Sequence, residues 1–249
     1  MYDSYEKYTN KRAKPRAGRI VTRILKFICL MFVLFVFVQT CFMGTISVQT
    51  VCMQPALAEG ERVIYSPLSY GALVAGLRLP GMGTPIRGDI VAVTSPEALS
   101  MSWLQFLLDP VVRFFTLGQV GAAKDSLGRS ADLHQLRRII GLPGDTVRVE
   151  NGLIWIKPMN QEEFVREETL APHPYTPVYD PDTISAKRNE QPDLFEEPVE
   201  FSVGDAEYFV VTDDRRIFAD SRQHGPVPFS RIAGKVFYRY WPFERCGTP

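Results

Sequence analysis

The spacing of apolar positions changes along the chain, and each change predicts a different element. Between residues 27 and 38 every position is apolar or Cys29, and from there to residue 48 the polar side chains are Gln39, Thr40, Thr45 and Ser47, with Gly44 the one glycine. As a helix, residues 27–48 reach about 33 Å, enough for the hydrocarbon core of a bilayer, so a transmembrane helix is expected there. Beyond it the pattern shortens. Residues 62–65, the apolar run 90–93 bounded by turn residues, and residues 137–140 before Gly141-Leu142-Pro143-Gly144 read as strands. Val147 and Val149, then Asn151-Gly152, then residues 153–156 predict a hairpin with a two-residue turn. Val199, Phe201 and Val203 alternate, Gly204-Asp205 turns, and residues 208–211 return; a last strand, 232–240, ends at Trp241-Pro242-Phe243. The expectation is a mainly β body over 49–249 behind one N-terminal helix.

Two stretches fit neither period. Residues 101–117 are rich in Trp103, Leu104, Leu108, Phe114 and Phe115, but Asp109-Pro110 and Arg113 make them a poor span. They read either as a helical insertion packed on the body or as an interfacial segment with Trp103 at the headgroups. Residues 158–198 are proline-rich, charged and without periodicity, and are expected as a surface excursion. The two insertions run over about 97–131 and 158–198.

Charge orients the helix. The 28 basic and 28 acidic side chains cancel, yet residues 1–26 carry eight basic groups against Asp3 and Glu6, leaving 20 against 26 for the rest. A basic tail on one side of an apolar helix predicts a cytosolic N-terminus and a body on the other side. Because the tail abuts a span, it argues for a membrane and against nucleic acid. A cleaved leader would need a small-x-small site before Cys52, and a lipid anchor at Cys41 would need small residues in place of Gln39-Thr40; neither is present. The four cysteines and three histidines show no metal-ligand spacing, and no phosphate-binding glycine loop occurs, so no metal or cofactor is implied.

Directly after the apolar helix comes Thr50-Val51-Cys52-Met53-Gln54-Pro55-Ala56-Leu57, a thiol in a Met-x-Pro turn. Further on stand RGDIVAV (87–93), RRIIGLPGD (137–145), TDDRRIFADSRQHGPVP (212–228) and GKVFYRYWPF (234–243). Five such blocks in this order, behind a positive-inside anchor, resemble the type I signal peptidases (leader peptidases), membrane-bound Ser/Lys peptidases of exported preproteins. The resemblance runs from the apolar helix to Phe243 and omits the two insertions. It implies an antiparallel, extracytoplasmic β domain of signal-peptidase type, a single pass through the bacterial inner (cytoplasmic) membrane, and signal peptides as partners beside the lipid bilayer.

Carried over residue by residue, the resemblance puts the family's serine nucleophile on Cys52 and its lysine general base on Arg137. The serine that orients the lysine falls on Phe218, and the glycine opening that block on Thr212. Thr50 keeps the hydroxyl that helps form the oxyanion hole, while Asp220 and Arg222 match a late acidic–basic pair that braces the site by a salt bridge. A dyad needs a base that can be neutral, and only about one arginine in a million is neutral at pH 7, so Arg137 is not competent as one. A cation beside a thiol favours the thiolate, which attacks without a base. Protonating the leaving amine and hydrolysing the thioester still call for acid–base groups. His134 lies three residues from Arg137, on the opposite face of the strand if it belongs to it.

Three functions follow: an altered peptidase cutting preproteins after small residues, a non-catalytic homologue that binds exported peptides or modulates an active signal peptidase paralogue, and a membrane-anchored structural β domain with Cys52 as an inert thiol. Arg87-Gly88-Asp89 is read as the opening of a strand rather than an adhesion tripeptide, and Asp145 as structural.

Overall fold

The computed structural model describes residues 16–249 except 75–76, 96–97, 99, 117–120, 122–132, 181 and 183–197. The first fifteen residues of the basic tail and a part of each insertion therefore lie outside the described residues. Helix α1 (Arg16–Cys41) is followed at once by strand β1 (Gly44–Ser47). The helix thus ends earlier than the apolar run suggests. Gly44 breaks it, and Thr45, Ile46, Ser47 and Val48 alternate outward and inward as strand residues do. Gly18–Cys41 has a mean hydropathy of 2.4 with none of its most apolar window buried, and is the one described helix long and apolar enough to cross a membrane.

The strands are β2 (Arg62–Ser66), β3 (Leu73–Val74), β4 (Leu77–Arg78), β5 (Ile90–Thr94), β6 (His134–Gly141), β7 (Thr146–Glu150), β8 (Leu153–Lys157), β9 (Val165–Arg166), β10 (Val199–Ser202), β11 (Glu207–Val211), β12 (Val227–Pro228) and β13 (Ile232–Trp241). They build a seven-stranded sheet in the order β1-β2-β13-β5-β6-β11-β12, a four-stranded sheet in the order β10-β7-β8-β9, and the β3-β4 pair, every ladder antiparallel. β5 is buried from Ile90 to Val93, as befits a strand flanked by β13 and β6 and covered on both faces. The β7–β8 hairpin turns at Asn151 (φ 51°) and Gly152 (φ 75°), the left-handed pair that a type I′ turn requires.

The strands around Gly204-Asp205 do not form a hairpin. β10 pairs β7 in the four-stranded sheet, whereas β11 pairs β6 in the larger one. Alternation gives a strand its two faces but does not choose its partner. Here the crossing lets Val203, Phe209 and Val211 join Ile140, Val147, Ile154 and Ile156 in one core between the sheets.

Helix α2 (Trp103–Phe115) starts in a capping box. The Ser102 hydroxyl accepts from the Gln105 N–H, and the Gln105 side chain accepts from the Ser102 N–H. It packs against α1, with the Phe114 ring 5.4 Å from both Phe32 and Phe35. The segment from 158 onward also proves less superficial than its composition suggests. Glu167 and Pro177 are buried, and half-buried Val178 joins Asp214 in a parallel bridge.

Candidate active site

Cys52 sits on a 3-10 turn (Val51–Met53) that the core holds from behind. Met53 and Leu57 are fully buried in the cluster of Ile46, Val63, Ile90 and Leu136, and the Leu57 N–H donates to the Met53 carbonyl at 2.8 Å. Anchoring the residues on either side of Gln54-Pro55 leaves Cys52 half-buried at the surface, with Gln49, Thr50 and Val51 exposed beside it. The Arg239 guanidinium of β13 donates to the Ala56 carbonyl at 3.0 Å, tying the far end of the turn to the sheet.

Arg137 and Arg138 leave β6 in opposite directions, as consecutive strand residues must. The turn at Cys52 packs against β6, and an ionised Cys52 lies near enough to favour the Arg137 charge. Yet the Arg137 donors are directed to carbonyl and amide oxygens. Nη1 donates to Leu136 O at 2.7 Å, and Nη2 donates to Gln135 Oε1 at 2.8 Å and to Ala219 O at 2.7 Å. Burial lowers the guanidinium below its ordinary value, opposed by Cys52 and Asp220 and aided by Arg222. All three acceptors favour the protonated form, so Arg137 stays a cation. Arg137 is a fixed donor, where the resemblance expects a group that accepts a proton.

The late block wraps around the same turn. The Asp214 N–H donates to the Cys52 carbonyl at 3.0 Å. Asp220 accepts from Arg222 Nη2 at 2.8 Å, Arg222 Nε at 2.9 Å, and the Thr212 N–H and hydroxyl at 3.0 Å each. Burial alone would raise the Asp220 carboxyl, but Arg222 and these N–H donors outweigh it and hold it below the ordinary value. Phe218 is buried, with the Arg222 guanidinium 4.2 Å from its ring centroid. The block is therefore packed and hydrogen-bonded, but an aromatic ring stands where the resemblance expects a hydroxyl.

Two further ion pairs fix the site from behind. Arg138 holds Asp213 through Nε and Nη2, at 2.7 and 2.6 Å, and its guanidinium lies 4.3 Å from the Tyr175 ring centroid. Arg215 holds Glu167 at 3.0 and 2.6 Å with both side chains fully buried, and Tyr175 and Tyr179 donate their hydroxyls to the same carboxylate at 3.1 and 2.7 Å. Burial opposes the Arg215 charge, but Glu167 and the two tyrosines carry its pKa above the ordinary value. Glu167, Tyr175 and Tyr179 escape sequence reading because nothing in the 158–180 pattern separates Glu167 from Glu162, Glu163 or Glu168.

His134 does not face Cys52. Its ring is 5.2 Å from that of Tyr65, with Nδ1 at 3.3 Å from the tyrosine hydroxyl. Burial and then the Arg113 charge lower it to about 4, against Asp109. Arg87 is spent on Asp145, and Asp89 accepts from Tyr70 and pairs with Lys235 at 2.7 Å, so the Arg-Gly-Asp tripeptide is not presented outward. All four cysteines are free, and no described group of acidic, histidine or cysteine side chains is arranged to hold a metal.

The structure thus brings the Cys52 turn, Arg137 of β6 and the Asp220–Arg222 block together on an antiparallel β body. The sequence model described as "Signal peptidase, peptidase S26" matches residues 21–241. The chain belongs to that family. It is 25% identical over 197 residues to the probable signal peptidase I-2 of Synechocystis sp., which covers 78% of this chain and 61% of that protein. It is 30% identical over 110 residues to the signal peptidase I of Bacillus caldolyticus, covering 44% of this chain and 55% of that protein. A crystal structure of a signal peptidase I from Enterococcus faecalis V583 is 21% identical and covers 61% of this chain and 96% of its own, at a TM-score of 0.29. The chain thus spans under two thirds of the length of either curated relative.

Proposed function

We propose that this protein is a membrane-anchored member of the family that binds the signal peptides of exported preproteins without cleaving them efficiently. In this reading α1 crosses the bacterial inner membrane with its N-terminus in the cytosol, and the β body works on the outer side. The observation that carries the proposal is the hydrogen bonding of Arg137. With its donors directed to Leu136 O, Gln135 Oε1 and Ala219 O, the group at the general-base position is a permanent cation. Phe218 removes the hydroxyl that would orient a lysine there.

Recognition needs less than hydrolysis does. A bound peptide adds as a strand along the exposed 49–51 backbone, with its cleavage-site carbonyl at Cys52. The Thr50 hydroxyl and the Cys52 N–H are the donors toward that carbonyl oxygen, and hydrogen bonds to a neutral carbonyl contribute to binding whether or not a proton can later be moved. Asp220 and Arg222 hold the late block against the turn. The reading is tested with a signal peptide carrying a photoreactive residue at its cleavage site, added to the full chain in detergent. A cross-link to the fragment containing Cys52, displaced by unlabelled signal peptide and releasing the peptide uncut, is expected. Cross-linking no stronger than that of an unrelated apolar peptide would overturn it.

A further inference from the structure

Helix α2 has its polarity reversed. Its only charged side chains are Asp109 and Arg113, and these pair with each other at 2.7 Å. Asp109 is 5% exposed, and the pair lines a cavity of about 330 Å³ together with Phe35, Gln39, Tyr65 and His134. Leu104, Leu108, Val111 and Phe115 follow one another by four, three and four residues, so they form a single stripe. At about 100° per residue, Asp109 and Arg113 stand about 140° and 180° from Leu104. That stripe is the outward face: Leu104 is 49% exposed, Leu108 46% and Phe115 72%, with Trp103 at 77% beside the helix start. A helix on a water-facing surface turns its apolar stripe inward and its charges outward. This one does the opposite.

We infer that the outward stripe of α2 lies in the outer leaflet of the lipid bilayer, as a second membrane contact beside α1. Lipid is the occupant that reversed polarity fits, because hydrocarbon favours the leucine and phenylalanine side chains and rejects the ion pair. The stripe also continues a surface of the same kind. Phe114 packs edge-on against Phe32 and Phe35, which lie nine and six residues before the end of α1, about 14 and 9 Å along its axis. On α1 itself Val33, Leu34 and Phe37 are exposed. The C-terminal half of α2 therefore sits alongside the apolar part of α1, and Trp103 stands at the other end of the helix, where an indole suits the headgroup boundary. The contact would hold the β body close to the membrane face from which a signal peptide emerges.

The inference rests on α1 spanning the bilayer, and one experiment separates the two. The full chain is reconstituted in phosphatidylcholine vesicles with or without bromine on the acyl chains, using variants that contain a single tryptophan. Leu108→Trp and Phe115→Trp report α2, Phe37→Trp reports α1, native Trp103 reports the helix start, and native Trp155 in β8 is the reference. Each substitution exchanges one outward apolar side chain for another, and the Trp103-only and Trp155-only chains add none. The expected result is bromine quenching at Leu108→Trp and Phe115→Trp comparable to that at Phe37→Trp, shallower quenching at Trp103, and the least at Trp155. Quenching at Phe37→Trp with none at the two α2 positions would overturn the inference and leave the anchor intact, as it would if a protein partner covered the stripe. Absence of quenching at Phe37→Trp would overturn both.

Discussion

The two sides of β6 differ in kind. On one side Arg138 is clasped by Asp213, and the Arg215–Glu167 pair nearby is fully buried with two tyrosine hydroxyls on its carboxylate. Each of these charges has a partner of opposite sign, as a buried charge requires. On the other side the acceptors of Arg137 among the described residues are all neutral, and the half-buried Cys52 thiol lies nearby. The first arrangement costs desolvation energy and offsets it with ion pairs, Arg215 Nη1 alone being left without a partner among the described residues; the second holds a fixed cation. A scaffold braced in this way around a fixed cation agrees with the proposed role, holding a peptide in register rather than turning it over.

If that contrast is right, damage to the two sides should differ most in stability. Glu167→Ala strands Arg215 as an unpaired buried cation and should cost about 3–5 kcal/mol in chemical unfolding of the detergent-solubilised chain. Arg137→Lys keeps a cation near the same acceptors and should cost only about 1 kcal/mol. Equal losses would mean that Arg137 is itself a brace and would remove the contrast.

Acid should act first at a third place. His134 is lowered to about 4 from an unperturbed 6.5, so the unfolded chain takes up its proton first as the pH falls. Stability should therefore decline between about pH 6.5 and 4, by up to about 3 kcal/mol, while the folded ring stays neutral among Tyr65, Arg113 and Asp109. His134→Gln should remove that step. Asp220, held below its ordinary value, contributes stability that is present above the unfolded carboxylate pKa and lost only as the pH falls through its lower folded value. An unchanged profile in His134→Gln would contradict the assignment. The smallest effect concerns access: half-buried Cys52 should react with a bulky maleimide more slowly than exposed Cys246, and the reverse order would place the Cys52 turn further out than described.

What sequence could show depended on how local the cause was. The burial of β5 and the turn at Asn151-Gly152 follow from adjacent residues and were legible. The end of α1 was not, because helix and β1 are both apolar and only Gly44 marks the change. The separation of β10 from β11 into two sheets was equally hidden, since alternation is the same whichever strand lies alongside. At the site, Cys52, Arg137 and Phe218 could be placed by resemblance. What makes Arg137 a fixed donor could not, because Ala219 O reaches it across 82 positions of sequence. Glu167 was hidden for the same reason, being one acid among several until Arg215 selects it.

The central claim is that the wild-type site holds a preprotein and does not efficiently cut it. The most direct test is a time course of preprotein cleavage by the wild-type chain in detergent, run beside Cys52→Ser/Arg137→Lys. Restoring a titratable base is worth about 10²–10⁴-fold, so the wild type should lag the double variant by at least about that lower bound. Multiple turnovers by the wild type, at a rate matching or exceeding the double variant, would contradict the account.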